Sequence, residues 1–228
     1  MPQAILFDLD ETLIDRTQSI ARYAERFQRD FTDYLAPLSA STLAAAIVAA
    51  DGRGYRPRAD LCEALVRTLP WETPLEAAVL QGHWATWFPS FAVARVGLTE
   101  TLTALQARGI RLGIVTNGRV QVQHTKIAQL GIRPYVSAVV VSEAVQIEKP
   151  DPRIFARALT EVGCQASQAW FVGDHPVNDI LGAAAAGLRP IWLTGVHPWP
   201  AGHPTPPWRI GALMELVALV QSERSHAI

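Results

Sequence analysis

The sequence predicts an α/β protein with a doubly wound parallel sheet and one inserted all-α domain. Three observations lead there. Short apolar runs recur at 4–7 (AILF), 111–115 (RLGIV), 138–141 (AVVV), 169–172 (AWFV) and 190–193 (PIWL). Strands covered on both faces read as such runs, without polar alternation. Helical patterns near 99–108, 120–130, 151–162 and 176–186 separate them, and strand–helix alternation marks a parallel sheet. One long segment, 16–95, breaks the alternation and shows no strand run.

Taken in order, the first run ends at Asp8. The segment 16–95 then reads as helices near 17–36, 40–50, 59–69 and 74–88, separated by Pro37, the loop DGRGYRPR at 51–58 and Pro70. It is too long for a loop in a compact domain, so the chain divides into a core of 1–15 and 96–228 and a helical cap of 16–95. The stretch 197–208 (HPWPAGHPTPPW) is proline-rich and reads as an extended surface segment. A last helix is expected over 209–221. No internal repeat is visible.

Composition narrows the function. The chain has 228 residues, 49% hydrophobic and 18% charged, which fits a globular protein with a sizeable core and argues against disorder. Net charge is −1, without the basic excess of a protein that grips nucleic-acid phosphates. No apolar run is long enough to span a membrane. The opening MPQAILFDLDETLID lacks a basic leader, so no signal peptide is expected. Two cysteines, Cys62 and Cys164, cannot form a disulfide framework, and cytoplasmic residence is expected.

Each strand run is followed by polar or glycine residues, and ligands of such sheets bind outside the carboxyl ends of the strands. Asp8 and Asp10 stand two apart in FDLDETLID at 7–15. In an extended backbone that spacing puts both carboxylates on one side, where crowding them is costly without a cation or proton between them. Asp174 follows another strand in GDHPVNDILGA, with Asn178 and Asp179 opening the next helix; Asp179 also suits a plain helix-start acid. Together the aspartates offer the hard oxygen ligands that suit Mg²⁺ and not zinc. VTNG at 115–118 brings Thr116, Asn117 and backbone N–H groups that can donate to phosphate, although TNG is also an ordinary turn. Lys149, before Pro150, is either a solvated surface group or the cation that neutralises Asp8 and a transferring phosphoryl group.

These four motifs, in this order, resemble those of the haloacid dehalogenase superfamily of hydrolases. FDLDETLID is similar to the first motif, VTNG to the second, Lys149 to the third and GDHPVND to the fourth. The resemblance implies a Rossmann-like core with a helical cap. It implies Asp8 as nucleophile, Asp10 as general acid/base, and Thr116 and Lys149 as phosphate binders. Mg²⁺ would be held by Asp8, Asp174 and the Asp10 backbone carbonyl, with Asn117, Asn178 and Asp179 in support. Glu11 stands where many members carry glycine. The activity implied is a Mg²⁺-dependent phosphatase of a small phosphorylated metabolite, acting through an aspartyl-phosphate.

Three rivals share parts of this pattern. A 2-haloacid dehalogenase would use Asp8 alike, but halide needs no proton, and such relatives usually lack the second aspartate and do not need Mg²⁺. A phosphotransferase or phosphomutase shares all four motifs. A non-catalytic binding member would not need the intact set of acids with Lys149. Substrate choice is expected to lie in the cap, where Arg53, Arg56 and Arg58 sit in one loop and one of them could reach an anionic handle. Trp84 and Trp87, three apart, are expected to share a helix face as cap core. His175 is expected to be structural, His197 and His203 not to be metal ligands, and neither cysteine to be an activated thiol.

Overall fold

The computed structural model describes residues 1–225. Strand β1 (Ala4–Phe7) is followed by helices α1 (Arg16–Asp30), α2 (Ala40–Asp51), α3 (Arg58–Thr68) and α4 (Ala77–Trp87). The chain continues through α5 (Leu98–Gln106), β2 (Arg111–Thr116), α6 (Val120–Leu130), β3 (Ala138–Val141), α7 (Ser142–Val145) and α8 (Pro152–Val162). Then come β4 (Ala169–Gly173), α9 (Gly182–Ala185), β5 (Arg189–Leu193), β6 (Arg209–Ile210) and α10 (Leu213–Ser225).

The strands form one six-stranded sheet in the order β3-β2-β1-β4-β5-β6, and every neighbouring pair is parallel. This is the predicted Rossmann-like α/β architecture. β1 lies in the middle, and its four side chains are wholly buried. The strand order reverses around it, which leaves a crevice at the strand ends. Phe7 is level with Ile114 of β2 and with Val172 of β4. Asp8, Thr116 and Asp174 therefore emerge at the same edge. One face of the sheet is sealed by α8, whose Ile154, Phe155, Ala158 and Val162 pack on Leu6, Val115, Val140 and Phe171.

The chain separates into two compact units, Met1–Ile14 with Ala94–Ile228, and Asp15–Val93. The second is helical and has its own core, built on Tyr23, Phe27, Leu43, Ile47, Leu61, Leu65, Trp84 and Phe88. Arg16 and Asp51 make a buried two-pronged ion pair in it, with Nε–Oδ2 at 2.7 Å and Nη2–Oδ1 at 2.6 Å. Arg58 adds a bond to Asp51 at 3.3 Å and lies over Trp84.

Several elements differ from expectation. Helix α1 stops at Asp30, not 36, because Phe31 and Leu35 turn inward and Leu35 bridges to Trp71. Helix α4 begins at Ala77, after Pro74. Trp84 is buried, but Trp87 is 37% exposed beneath the Arg26 guanidinium, so they do not share one buried face. Three residues turn a helix by about 300°, and that offset of about 60° carries Trp87 off the apolar stripe. The segment 209–221 is not one helix: Arg209–Ile210 is a sixth strand beside β5, and α10 follows. No helix among the described residues is long and apolar enough to cross a membrane.

Candidate active site

The site grows from the end of β1. Asp8 continues the ladder by one bond, its N–H donating to the Val172 carbonyl at 2.9 Å. The chain then turns, and Glu11 takes a left-handed conformation with φ of 59°. Glycine enters that region freely, whereas glutamate there needs the turn to be held. Here Arg95 holds the turn by donating to the Glu11 carbonyl and, at 3.1 Å, to the Thr12 carbonyl. The backbone after Asp8 is therefore not extended, and Asp8 and Asp10 point to different partners. The Asp10 carboxylate still lies near enough to Asp8 to push it up; the two meet different partners because β1 ends at Phe7, one residue before the motif's first acid.

Asp8 is buried against Lys149. The Lys149 ammonium donates to Asp8 Oδ1 at 2.6 Å and to Asp179 Oδ1 at 2.7 Å, and it is itself 4% exposed. Lys149 is thus a buried cation and not a surface group. Asn117 fixes it: its Nδ2 donates to the Lys149 carbonyl at 3.0 Å, and its Oδ1 accepts from the Lys149 N–H at 2.8 Å. Both ends of the Asn117 side-chain amide thus serve the Lys149 main chain. The Gly118 N–H is also taken, by Ser142 Oγ at 2.9 Å.

Asp174 follows β4. Its Oδ1 accepts from Thr12 Oγ1 at 2.8 Å, and its carbonyl accepts from Trp192 Nε1. Its buried Oδ2 accepts no hydrogen bond among the described residues, and His197 Nε2 stands 3.4 Å away. Beyond Asp174 the chain widens into a helical turn at Pro176–Leu181, where the Ile180 N–H reaches back five residues to the His175 carbonyl. That turn aims Asp179 backward, so that its Oδ2 accepts from the His175 N–H at 2.9 Å. Gly173 makes room for it: a Cβ there would lie 2.4 Å from Asp179 Cβ. His175 caps this turn, its Nδ1 accepting from the Val177 and Asn178 N–H groups. Asn178 meets His175 through that backbone N–H.

Oxygens of Asp8, Asp174 and Asp179 lie within 4.8 Å of one another, so three buried carboxylates face one buried ammonium. Burial, helped by Asp179 and opposed by Lys149, pushes Asp8 up to about 7. Burial, with Asp179 and Asp8 nearby, pushes Asp174 up to about 9. Burial pulls Lys149 down, but Asp179 and Asp8 outweigh it and raise the ammonium above its usual range. The surplus negative charge requires protons or a cation. The bare Asp174 Oδ2 and the all-oxygen donor set fit Mg²⁺. Asp179 is already spent on Lys149 and the His175 N–H, so it shapes the cluster more than it is free to ligate.

Asp10, grouped with the metal ligands from the sequence, keeps its carboxylate outside this cluster. It accepts from Lys126 Nζ at 2.8 and 2.6 Å and from Gln123 Nε2 at 3.1 Å. Gln123 also donates to Thr116 Oγ1 at 2.5 Å. Thr116 is buried at the end of β2. Gln123, Lys126 and Arg95 are site residues outside the motifs, and Thr12 lies within the first motif without having been singled out. For the first two a signal existed: Gln123, Lys126, Ile127 and Leu130 recur at helical spacing, a stripe whose first two members are polar.

A family model described as haloacid dehalogenase-like hydrolase matches residues 2–187, and the chain belongs to that family. Among its relatives, glyceraldehyde 3-phosphate phosphatase of Methanothermobacter thermautotrophicus is 34% identical over 198 residues, covering 84% of this chain and 85% of the relative. Phosphoglycolate phosphatase of Rhodospirillum rubrum is 32% identical, covering 85% and 80%. Among solved structures, the magnesium-bound putative hydrolase YfnB of Bacillus subtilis matches with a TM-score of 0.71 at 22% identity, over 96% of this chain and 99% of that one. A 2-haloacid dehalogenase of Pseudomonas syringae pv. tomato matches with a TM-score of 0.61 at 27% identity, over 97% and 99%.

Proposed function

We propose that this chain is a Mg²⁺-dependent phosphatase that hydrolyses the phosphate monoester of a small metabolite through an aspartyl-phosphate on Asp8. The observation that carries the reading is the cluster of Asp8, Asp174 and Asp179 around Lys149, with Asp174 Oδ2 accepting no hydrogen bond among the described residues. Asp8, Asp174 and the Asp10 carbonyl would hold the ion, with Asp179 and Asn178 in support. Bound there, Mg²⁺ supplies positive charge beside an anionic nucleophile and an anionic ester.

The chain's own residues account for the rest. An Asp8 carboxylate oxygen bonds to phosphorus as the ester P–O bond breaks, and the electron pair leaves with the ester oxygen. Asp10 gives that oxygen a proton. Water then attacks the phosphorus of the aspartyl-phosphate, Asp10 regains a proton from it, and phosphate departs as Asp8 is restored. Lys149 and the Thr116 hydroxyl bind the phosphoryl oxygens; Asn117 holds Lys149 in place. Asp10 separates this reading from dehalogenation, because a departing halide needs no proton. The phosphatase relatives act on small phosphorylated compounds, in keeping with a metabolite substrate. Cytoplasmic residence accords with the two free cysteines; burial raises both thiols, Cys62 to about 11, which leaves them unactivated.

The test is a panel of phosphate monoesters and 2-haloacids, assayed with Mg²⁺ and with chelator. Phosphate release that requires the metal supports the reading. Halide release without phosphate release overturns it.

A further inference from the structure

Helix α6 presents two polar side chains to the protein interior. Gln123 is 1% and Lys126 6% exposed. Burying an ammonium costs several kcal/mol unless an opposite charge answers it. The Lys126 ammonium meets both oxygens of Asp10, at 2.8 and 2.6 Å. The Gln123 amide nitrogen is shared among Asp10 Oδ2, Thr116 Oγ1 and the Asn117 carbonyl, at 3.1, 2.5 and 3.2 Å. It has only two hydrogens for three acceptors. Thr116 Oγ1 receives one of them at the shortest distance, and its own hydroxyl points to the Asn117 carbonyl at 3.5 Å. A single helix face therefore ties the carboxyl of Asp10 to the end of β2, although Asp10 itself lies in the turn after β1.

Asp10 is anchored more heavily than its surroundings require. Its side chain is 29% exposed, so water could solvate the carboxylate without help. Lys126, at 7%, is the partner that surrenders hydration. What the arrangement fixes is orientation: an ammonium on both oxygens and an amide on one leave the carboxyl little rotational freedom.

We infer that Lys126 and Gln123 are positioning residues that hold the Asp10 carboxyl for its two proton transfers. Neither touches the reacting atoms. The inference rests on the phosphatase reading, in which Asp10 protonates the leaving oxygen and later takes a proton from water. Displacing a reacting group by about 1 Å can cost on the order of 100-fold.

The experiment compares wild type, Lys126→Met and Lys126→Arg on an alkyl phosphate and on p-nitrophenyl phosphate, with Mg²⁺ present and thermal melts alongside. Nitrophenolate leaves without a proton, so for Lys126→Met its kcat/KM should change less than about threefold. Its kcat should fall about tenfold or more, because hydrolysis of the aspartyl-phosphate still needs Asp10. KM falls with it, and a burst of nitrophenolate precedes the slow steady state. For the alkyl ester kcat/KM itself should fall about tenfold or more, and Lys126→Arg should recover part of both losses. An equal loss of kcat/KM on both esters, or no loss on either, overturns the positioning role. A wild type that releases phosphate from neither ester overturns the phosphatase reading instead.

Discussion

The Lys149 ammonium lies 2.6 Å from Asp8 Oδ1 and draws Asp179 to its other side at 2.7 Å. One buried cation thus fixes both the expected nucleophile and the acid that shapes the cluster. Lys149→Met removes the attraction while keeping the volume. It should lower kcat/KM at least about 100-fold, the cost of losing one well-placed donor from an anionic transition state. Steady-state kinetics on any accepted ester checks this, and a loss below tenfold would contradict it.

Gly173 admits Asp179 only because it has no side chain, since a Cβ would approach Asp179 Cβ to 2.4 Å. Gly173→Ala should cost about 1–3 kcal/mol, the usual range for overpacking a filled site. It should also cut activity, because Asp179 must shift away from Lys149. Urea unfolding paired with an activity assay tests both effects. Unchanged stability would mean that the strand end yields more easily than its packing implies.

Metal and pH should be linked with a definite sign. Asp8 and Asp174 are raised from 3.8 to about 7 and about 9. Between the unfolded and folded values the native state holds more protons, so without metal its stability falls as pH rises. Mg²⁺ bound at this cluster would take the place of those protons. The rise in Tm on adding Mg²⁺ should therefore be larger at pH 8 than at pH 6, and binding should release protons in calorimetry across buffers. A metal-induced shift independent of pH would contradict this.

The sequence revealed the sheet well and the side-chain partnerships poorly. Five strands were legible because strands buried on both faces leave apolar runs. β6 has only two residues and follows the proline-rich stretch, so it left no run. Asp8 and Asp174 converge as their positions at strand ends implied, and Lys149 and Asp179 join them from the segment after α7 and the helical turn after β4. The separate partners of Asp8 and Asp10 were hidden, because they depend on Glu11 at φ 59° and on a lysine 116 residues away in sequence. Asn117 sits in a phosphate-binding motif by spacing, yet its amide is consumed by the Lys149 main chain. Backbone hydrogen bonds of that kind leave no trace in residue type.

In the helical unit, Asp51 pairs with Arg16 at a site where the two side chains are 1% and 4% exposed. Burial pushes Asp51 up, but Arg16 and Arg58 outweigh it and hold its carboxyl below the usual range. Asp51→Asn leaves the Arg16 charge buried without its partner and should cost about 3–5 kcal/mol. A depressed carboxylate gives stability that is present above the unfolded value and lost as pH falls through the folded one. The gap between wild type and variant should thus narrow below about pH 4. Thermal melts from pH 3 to pH 7 would show it, and a constant gap would argue that packing dominates.

The central claim is that Asp8 carries the phosphoryl group. The most direct measurement is acid quench during turnover with Mg²⁺ and an accepted ester, followed by peptide mass spectrometry. The expected result is one phosphoryl group on the peptide that contains Asp8, absent from Asp8→Asn. Phosphoryl on another residue, or turnover that persists in Asp8→Asn, would contradict it.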